Sequence, residues 1–442
     1  MTVMSPYAAS LLEQEARSLQ TRLARVRPFA LIEPMVPAAA LLPSAQAALE
    51  RYLVTGRREL QALVSAFQHW LAGARASATA AEAQRRFTFL RLKFNATLTQ
   101  FDLFNDVITQ RSEHENGVWL SGLDAVAADA LALPGNYYRL PPVVCYLDRG
   151  PGAAIRRART RLPGGGENPV AVVRVPRERM IGSGIASSLI HEVGHQGAAL
   201  LDLVNSLRPR LQAMQQSDAH QREVWQWWER WISEIVADFW SVARVGVVST
   251  LGLIGVVSLP RVFVFRLSPD DPHPIPWIRV MLSCAMGQAL YPHPQWERLA
   301  TVWHDYYPSA TLAPETVDLL GRLRRGMPAF VQLLIRHRPA ALRGKTLPEV
   351  LDVASRQPAA LLSLYRRWEN APAQMYRAPP SLVFAVLGQA RADGLVGPED
   401  ENVLLAKLLT HWALRSTLDT SFLCASLDAR APAPARVPLT FH

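Results

Sequence analysis

The chain has 442 residues, 49% of them hydrophobic and 19% charged, with a formal net charge of +10. That balance excludes a disordered or fibrous polypeptide, and the length exceeds what one small core can use. Arginine carries nearly all the positive charge, beside only Lys93, Lys345 and Lys407; its scatter along the chain argues against nucleic acid as a partner.

Taken in order, residues 6 to about 132 read as helices. Leu60, Leu63, Val64, Phe67 and Leu71 recur at three- and four-residue steps, and Phe87 to Ile108 repeats the pattern with more aromatics. The first segment, Met1 to Gln20, carries Glu13 and Glu15 in an amphipathic pattern and lacks a basic-then-apolar leader, so a cytoplasmic location is expected, with export by a route that uses no cleavable signal as the alternative. After Leu133-Pro134-Gly135 the texture changes. Val143 to Leu147 and Val170 to Val175 are β-branched runs between breakers and read as two strands. Between them, Arg156, Arg157, Arg159 and Arg161, followed by Gly164-Gly165-Gly166, read as a solvated loop.

A long helical pattern then covers 185–207, and a second covers 220–245 with Trp225, Trp228, Ile232, Ile235, Phe239 and Val242 as its buried stripe. The apolar run from Val245 to Leu259 is shorter than the roughly 20 residues a bilayer needs, and Arg244, Pro260 and Arg261 bracket it; buried core is expected, with no transmembrane segment. Pro269 to Pro276 is a proline-rich turn and Trp277 begins another helix. From 311 to 427 the pattern is helical again, punctuated by Pro328, Pro339, Pro358 and Pro379, and Arg430 to His442 reads as a loose tail. The expected fold is mainly α with a small mixed β-sheet. Its parts are a helical N-terminal region (1–135), a core holding the candidate site (136–310), a helical C-terminal region (311–428) and a flexible tail (429–442). Cys145, Cys284 and Cys424 are too far apart in sequence to suggest a disulfide framework or a second metal site, which fits a reducing compartment. Nothing in the chain sets an oligomeric state.

One segment carries chemistry. Ser188-Leu189-Ile190-His191-Glu192-Val193-Gly194-His195 contains HExxH. On a helix, residues four apart share a face, so His191 and His195 can present ring nitrogens to one zinc ion, with Glu192 beside them to work on water rather than on the metal. Gly194 and Gly197 leave room for another element to pack closely. A catalytic zinc needs a third protein ligand, and the next long helix offers Glu234, with Asp238 one turn further along the same face to accept the free ring N–H of a ligand histidine.

HExxH on one helix and Glu234-Ile235-Val236-Ala237-Asp238 on the next resembles the gluzincin group of metallopeptidases, in its ExxAD form, over about residues 140–282. The resemblance implies a zincin-like core binding Zn2+ through His191, His195 and Glu234, with Glu192 as general base and acid and Asp238 supporting a ligand. It also implies an edge strand that holds the substrate backbone, for which Val172, Val173 and Arg174 are in place. Asp271-Pro272-His273-Pro274 followed by Arg279 resembles a His-Pro turn before an arginine-bearing helix, which implies His273 beside the site as an oxyanion donor; Tyr306 and Tyr307 are further candidates. The activity implied is hydrolysis of a protein or peptide substrate. A catalytically silent zinc-binding interaction module, and a basic polyanion-binding protein with a coincidental HExxH, are the alternatives.

Overall fold

The computed structural model describes residues 3–26, 33–74, 77–150, 152–179, 182 and 184–428, and the tail expected over 429–442 lies outside them. The protein is mainly α with a small mixed sheet. Four helices come first: α1 (Pro6–Arg25), α2 (Pro43–Ala74), α3 (Ala80–Thr109) and α4 (His114–Leu131). Leu60, Val64, Phe67 and Leu71 of α2 pack against Leu12, Ala16 and Leu19 of α1 and Phe87, Leu90 and Phe94 of α3, whereas Leu63 of the expected stripe faces solvent.

Three strands follow, β1 (Val143–Asp148), β2 (Ala154–Arg156) and β3 (Ala171–Pro176), in the order β1-β3-β2. β1 runs parallel to β3 and β2 antiparallel to it. β2 lies at the start of the arginine-rich stretch that reads as a solvated loop in sequence. The stretch is instead tied down: the Ala158 N–H donates to Gln196 Oε1 at 2.8 Å, and Asn168 Nδ2 donates to the carbonyls of Arg156 and Arg157. Leu162 is buried within it. The outer edge of β1 is occupied by side chains. Cys145 N–H donates to Asp124 Oδ1 (2.7 Å) while its carbonyl accepts from Arg111 (2.6 Å), and Gln110 satisfies both backbone groups of Leu147 at 2.8 Å. Arg111 and Asp124 are themselves a buried pair at 2.9 Å.

Next come α5 (Gly184–Leu200), α6 (Leu203–Ser217), α7 (Arg222–Val245), α8 (Val247–Val257), α9 (Arg261–Val264), α10 (Pro276–Leu290) and α11 (Gln295–Tyr306). The single helix expected over 185–207 is two, because Asp202 takes a left-handed conformation (φ +53°) that ends α5 and starts α6; a short polar side chain tolerates that region better than most. α8 holds the apolar run after Arg244, packed between α5 and the later helices, and no helix among the described residues is long and apolar enough to cross a membrane.

The remaining chain forms α12 (Pro314–Arg336), α13 (Leu347–Val350), α14 (Pro358–Asn370), α15 (Pro372–Arg377), α16 (Pro380–Ala392) and α17 (Pro398–Asp428). Prolines open α12, α14, α15 and α16, where the missing N–H costs nothing, and Pro328 sits inside α12 instead of breaking it. One hydrophobic cluster runs from Leu120 of α4 to Trp412 of α17. α7 lies at its centre, with Trp225, Trp228, Trp231 and Trp240 all buried.

Candidate metal centre

The site forms where α5 and α7 approach most closely. Gly194 of α5 faces the backbone of α7: a Cβ there would lie 2.9 Å from Ala237 O and 3.0 Å from Ala237 Cα. One turn on, a Cβ at Gly197 would meet the Trp240 ring at 2.6 Å. Both glycines therefore set the helix spacing, as their place beside HExxH suggests. This contact aligns the face carrying His191 and His195 with the face carrying Glu234 and Asp238. The two imidazoles stand at 87° with centroids 4.8 Å apart. His191 Nε2 is 3.3 Å from Glu234 Oε2 and His195 Nε2 is 3.4 Å from Glu234 Oε1; one ligand atom from each of the three residues lies within 4.8 Å of the others.

Three observations bear on whether this donor set suits a metal ion. Ligand atoms on a tetrahedral zinc with bonds of about 2.0–2.1 Å lie about 3.3 Å apart, the spacing seen between the imidazoles and the carboxylate. Glu234 Oε2 is buried without a well-formed hydrogen bond, and the Nε2 atoms of His191 and His273 lie 3.3 and 3.2 Å from it, so two imidazole nitrogens converge on one carboxylate oxygen. Finally, the carboxylates of Glu234, Asp238 and Asp271 gather around His191, His195, His273 and Arg279, an oxygen and nitrogen donor set of the kind zinc takes.

Asp238 takes the other face of the His191 ring, with Nδ1 to Oδ1 at 2.8 Å, which leaves Nε2 directed towards Glu234. Arg279, from α10, holds Asp238 with a two-pronged grip of 2.7 Å from Nε to Oδ2 and 2.9 Å from the terminal nitrogen to Oδ1. The same terminal nitrogen lies 3.4 Å from both nitrogens of the His191 ring. The titration behaviour follows from these contacts. Burial pulls the His191 ring down, but Asp238 and Glu234 outweigh it and push the ring up to about 9. Burial also opposes ionisation of both carboxylates; contacts with His191, His195 and His273 still hold Glu234 far below the usual carboxylate range, and Arg279 and His191 do the same for Asp238.

His273 reaches the site from the turn before α10. Asp271, two residues earlier, accepts from its backbone N–H (3.0 Å) and contacts its Nδ1 (2.7 Å), aiming Nε2 at Glu234. Its contact with Glu234 raises its affinity for a proton. Tyr307 points elsewhere, its hydroxyl donating to Leu259 O, and Tyr306 is exposed.

Beside His191 and Glu192 lies a cavity of about 130 Å³, lined also by Asp238, His273 and Arg279 and walled by Gly152, Ala153, Ser188, Ser249, Leu253 and Val256. One expectation needs correction here. Val172, Val173 and Arg174 are on the central strand, paired with β1 on one side and β2 on the other, so they offer no free backbone to a substrate. The strand with a single neighbour that leads from the cavity is β2, entered through Gly152 and Ala153. Its three residues, Ala154-Ile155-Arg156, are too short for an alternating pattern to stand out in sequence. Asp271 stands in the Asp-Pro-His-Pro motif, but the sequence does not show its hold on His273; the α8 wall of the cavity has no sequence signal, because only the fold brings it to the site.

No family model, no curated protein and no solved structure matches this chain.

Proposed function

We propose that the protein is a zinc-dependent metallopeptidase of the gluzincin type, hydrolysing peptide bonds in protein or peptide substrates. The observation that carries this reading is the meeting of His191, His195 and Glu234, with the carboxylate oxygens 3.3 and 3.4 Å from the two imidazoles and Asp238 on the back of His191. Zinc held there supplies a Lewis acid that makes water more acidic and polarises a carbonyl. Glu192, on the cavity wall next to His191, accepts the proton of the attacking water and returns it to the leaving amine. Asp238 keeps the His191 proton on Nδ1, and Arg279 keeps Asp238 in place. His273, steered by Asp271, donates towards the developing oxyanion. The free, buried thiols of Cys145 and Cys284 support a cytoplasmic place of action.

Metal content by plasma mass spectrometry, read beside hydrolysis of unfolded casein and a peptide library, tests the proposal. About one zinc per chain is expected, lost in His191→Ala and Glu234→Ala. Glu192→Gln is expected to keep the zinc and lose hydrolysis. Zinc without cleavage in the wild type would make the chain a silent metal-binding module; no zinc after metal-replete expression would reduce HExxH to coincidence.

A further inference from the structure

The turn between α8 and α10 is apolar on its outside, where an exposed connection is ordinarily polar. Leu259, Val262, Phe263 and Leu267 are 44%, 70%, 47% and 39% exposed, while Val264 and Phe265 between them are buried. The turn is held firmly. Phe265 stacks on Trp277 with centroids 6.2 Å apart, Tyr307 donates to Leu259 O at 3.0 Å, and Arg261 donates to Thr311 Oγ1 at 2.7 Å while lying over the Phe265 ring. Such anchoring means that the outer side chains are presented on a fixed scaffold.

We propose that this turn is a docking surface for an anionic lipid bilayer, entered by Leu259, Val262, Phe263 and Leu267 and steadied by Arg261 and Arg266. The charge interleaved with the apolar residues selects this occupant. Arg261 and Arg266 interleave with the apolar residues, and Arg266 is exposed with no ion pair among the described residues. The nearest acidic residues in sequence, Asp270 and Asp271, lie beyond Leu267; Asp270 is exposed, Asp271 is engaged by His273, and Asp305 beside Tyr306 is met by His304 at 3.8 Å. A second copy docked on the same segment would set Arg261 and Arg266 against their counterparts, whereas acidic headgroups attract them. Tyr306, next to the tyrosine that holds Leu259, is 67% exposed and is of a type that settles at headgroup depth. Attachment of this kind is peripheral, in keeping with the absence of a membrane-crossing helix among the described residues.

The surface also has a direction. Leu253 and Val256 wall the cavity of the metal centre, and the same helix, α8, runs on into the apolar turn. Docking would bring α8, and with it one wall of that cavity, towards the bilayer, so its substrates are polypeptide segments at a lipid surface. This last step rests on the peptidase reading; the lipid docking does not.

Co-sedimentation with vesicles tests it, using phosphatidylcholine alone and with about one third phosphatidylserine at low salt. Wild type should pellet with the acidic vesicles and not with the neutral ones. Val262→Asp and, separately, Phe263→Asp should lower the partition coefficient at least about tenfold, and Arg266→Gln severalfold. Both apolar sites are exposed, and an unchanged helical spectrum would show that the variants fold; Leu267→Asn serves as a third variant should one fail. No binding of the wild type, or binding indifferent to these substitutions, overturns the proposal. Capture of unfolded casein with the same sensitivity and no vesicle binding also overturns it, in favour of a protein partner. Zinc content and casein cleavage, read separately, report on the peptidase reading alone.

Discussion

Gly194→Ala tests whether the spacing of α5 and α7 makes the metal centre. An added methyl would sit 2.9 Å from Ala237 O and 3.0 Å from Ala237 Cα, against an ordinary carbon contact of about 3.5–4.0 Å. The obstacle is backbone, so no rotamer change relieves it, and the helices must part by about 0.5–1 Å. Glu234 sits one turn before Ala237 and Asp238 follows it, so the same displacement acts on the 3.3 and 3.4 Å separations from the imidazoles. Stability answers weakly, because overpacking costs about 1–3 kcal/mol while replacing a helical glycine returns about 1 kcal/mol. Metal affinity answers strongly. Stretching the ligand triangle by that amount should weaken zinc binding about 10–100-fold, comparable to losing a supporting contact. Competition with a chromophoric chelator measures the affinity, and a urea titration measures stability alongside. Zinc affinity within about twofold of wild type, in a variant that folds, would refute the claim that this contact sets the site.

Three further outcomes follow from the same geometry. Asp238→Asn should lower zinc affinity about 10–100-fold and leave the buried Arg279 with only the more distant Glu234 carboxylate at 3.7 Å, so stability should fall too; unchanged affinity in a chelator competition would remove Asp238 from ligand support. Arg111→Met strands the Asp124 carboxylate in the core and should cost about 3–5 kcal/mol in urea unfolding, with most of it recovered when Asp124→Asn is added; a loss under about 1 kcal/mol would count against the pair. His337, bonded to Ser206 at 2.9 Å, is lowered to about 4 by burial and by Arg210. Its folded value lies below the ordinary 6.5, so its stabilising effect is complete above pH 6.5 and is lost as pH falls through about 4. The loss is at most about 3 kcal/mol, less where solvent screens the ring, and His337→Asn should flatten that limb of a pH–stability curve; an unchanged limb would contradict it.

The candidate site was legible in sequence where a helical period alone fixes a face. His191 and His195, and Glu234 and Asp238, each lie one turn apart, so spacing placed each pair on one face before any packing was known. Gly194 and Gly197 were legible for the same reason. What escaped depends on contacts between distant segments. Arg279 was marked by its place after the His-Pro turn, but its grip on Asp238 arises only because α10 crosses α7, and Leu253 and Val256 reach the cavity only because α8 turns back along α5. β2 was hidden in a run of arginines, since three residues cannot display an alternation and the residues that fix the stretch, Ala158, Leu162 and Asn168, are scattered within it. The division of 185–207 was hidden by Asp202, which breaks the helix without a glycine or proline to mark the place.

The side chains along β1 have a consequence for how the molecule meets extended chains. With Gln110, Arg111 and Asp124 occupying its outer rim, that side of the sheet has no open ladder, and neither a misfolded neighbour nor another copy can zip onto it. Any fourth strand must join beside β2, over three residues or about 10 Å. A grip so short holds little by itself. Whatever extended polypeptide this protein engages must be selected mainly by contacts beyond the sheet.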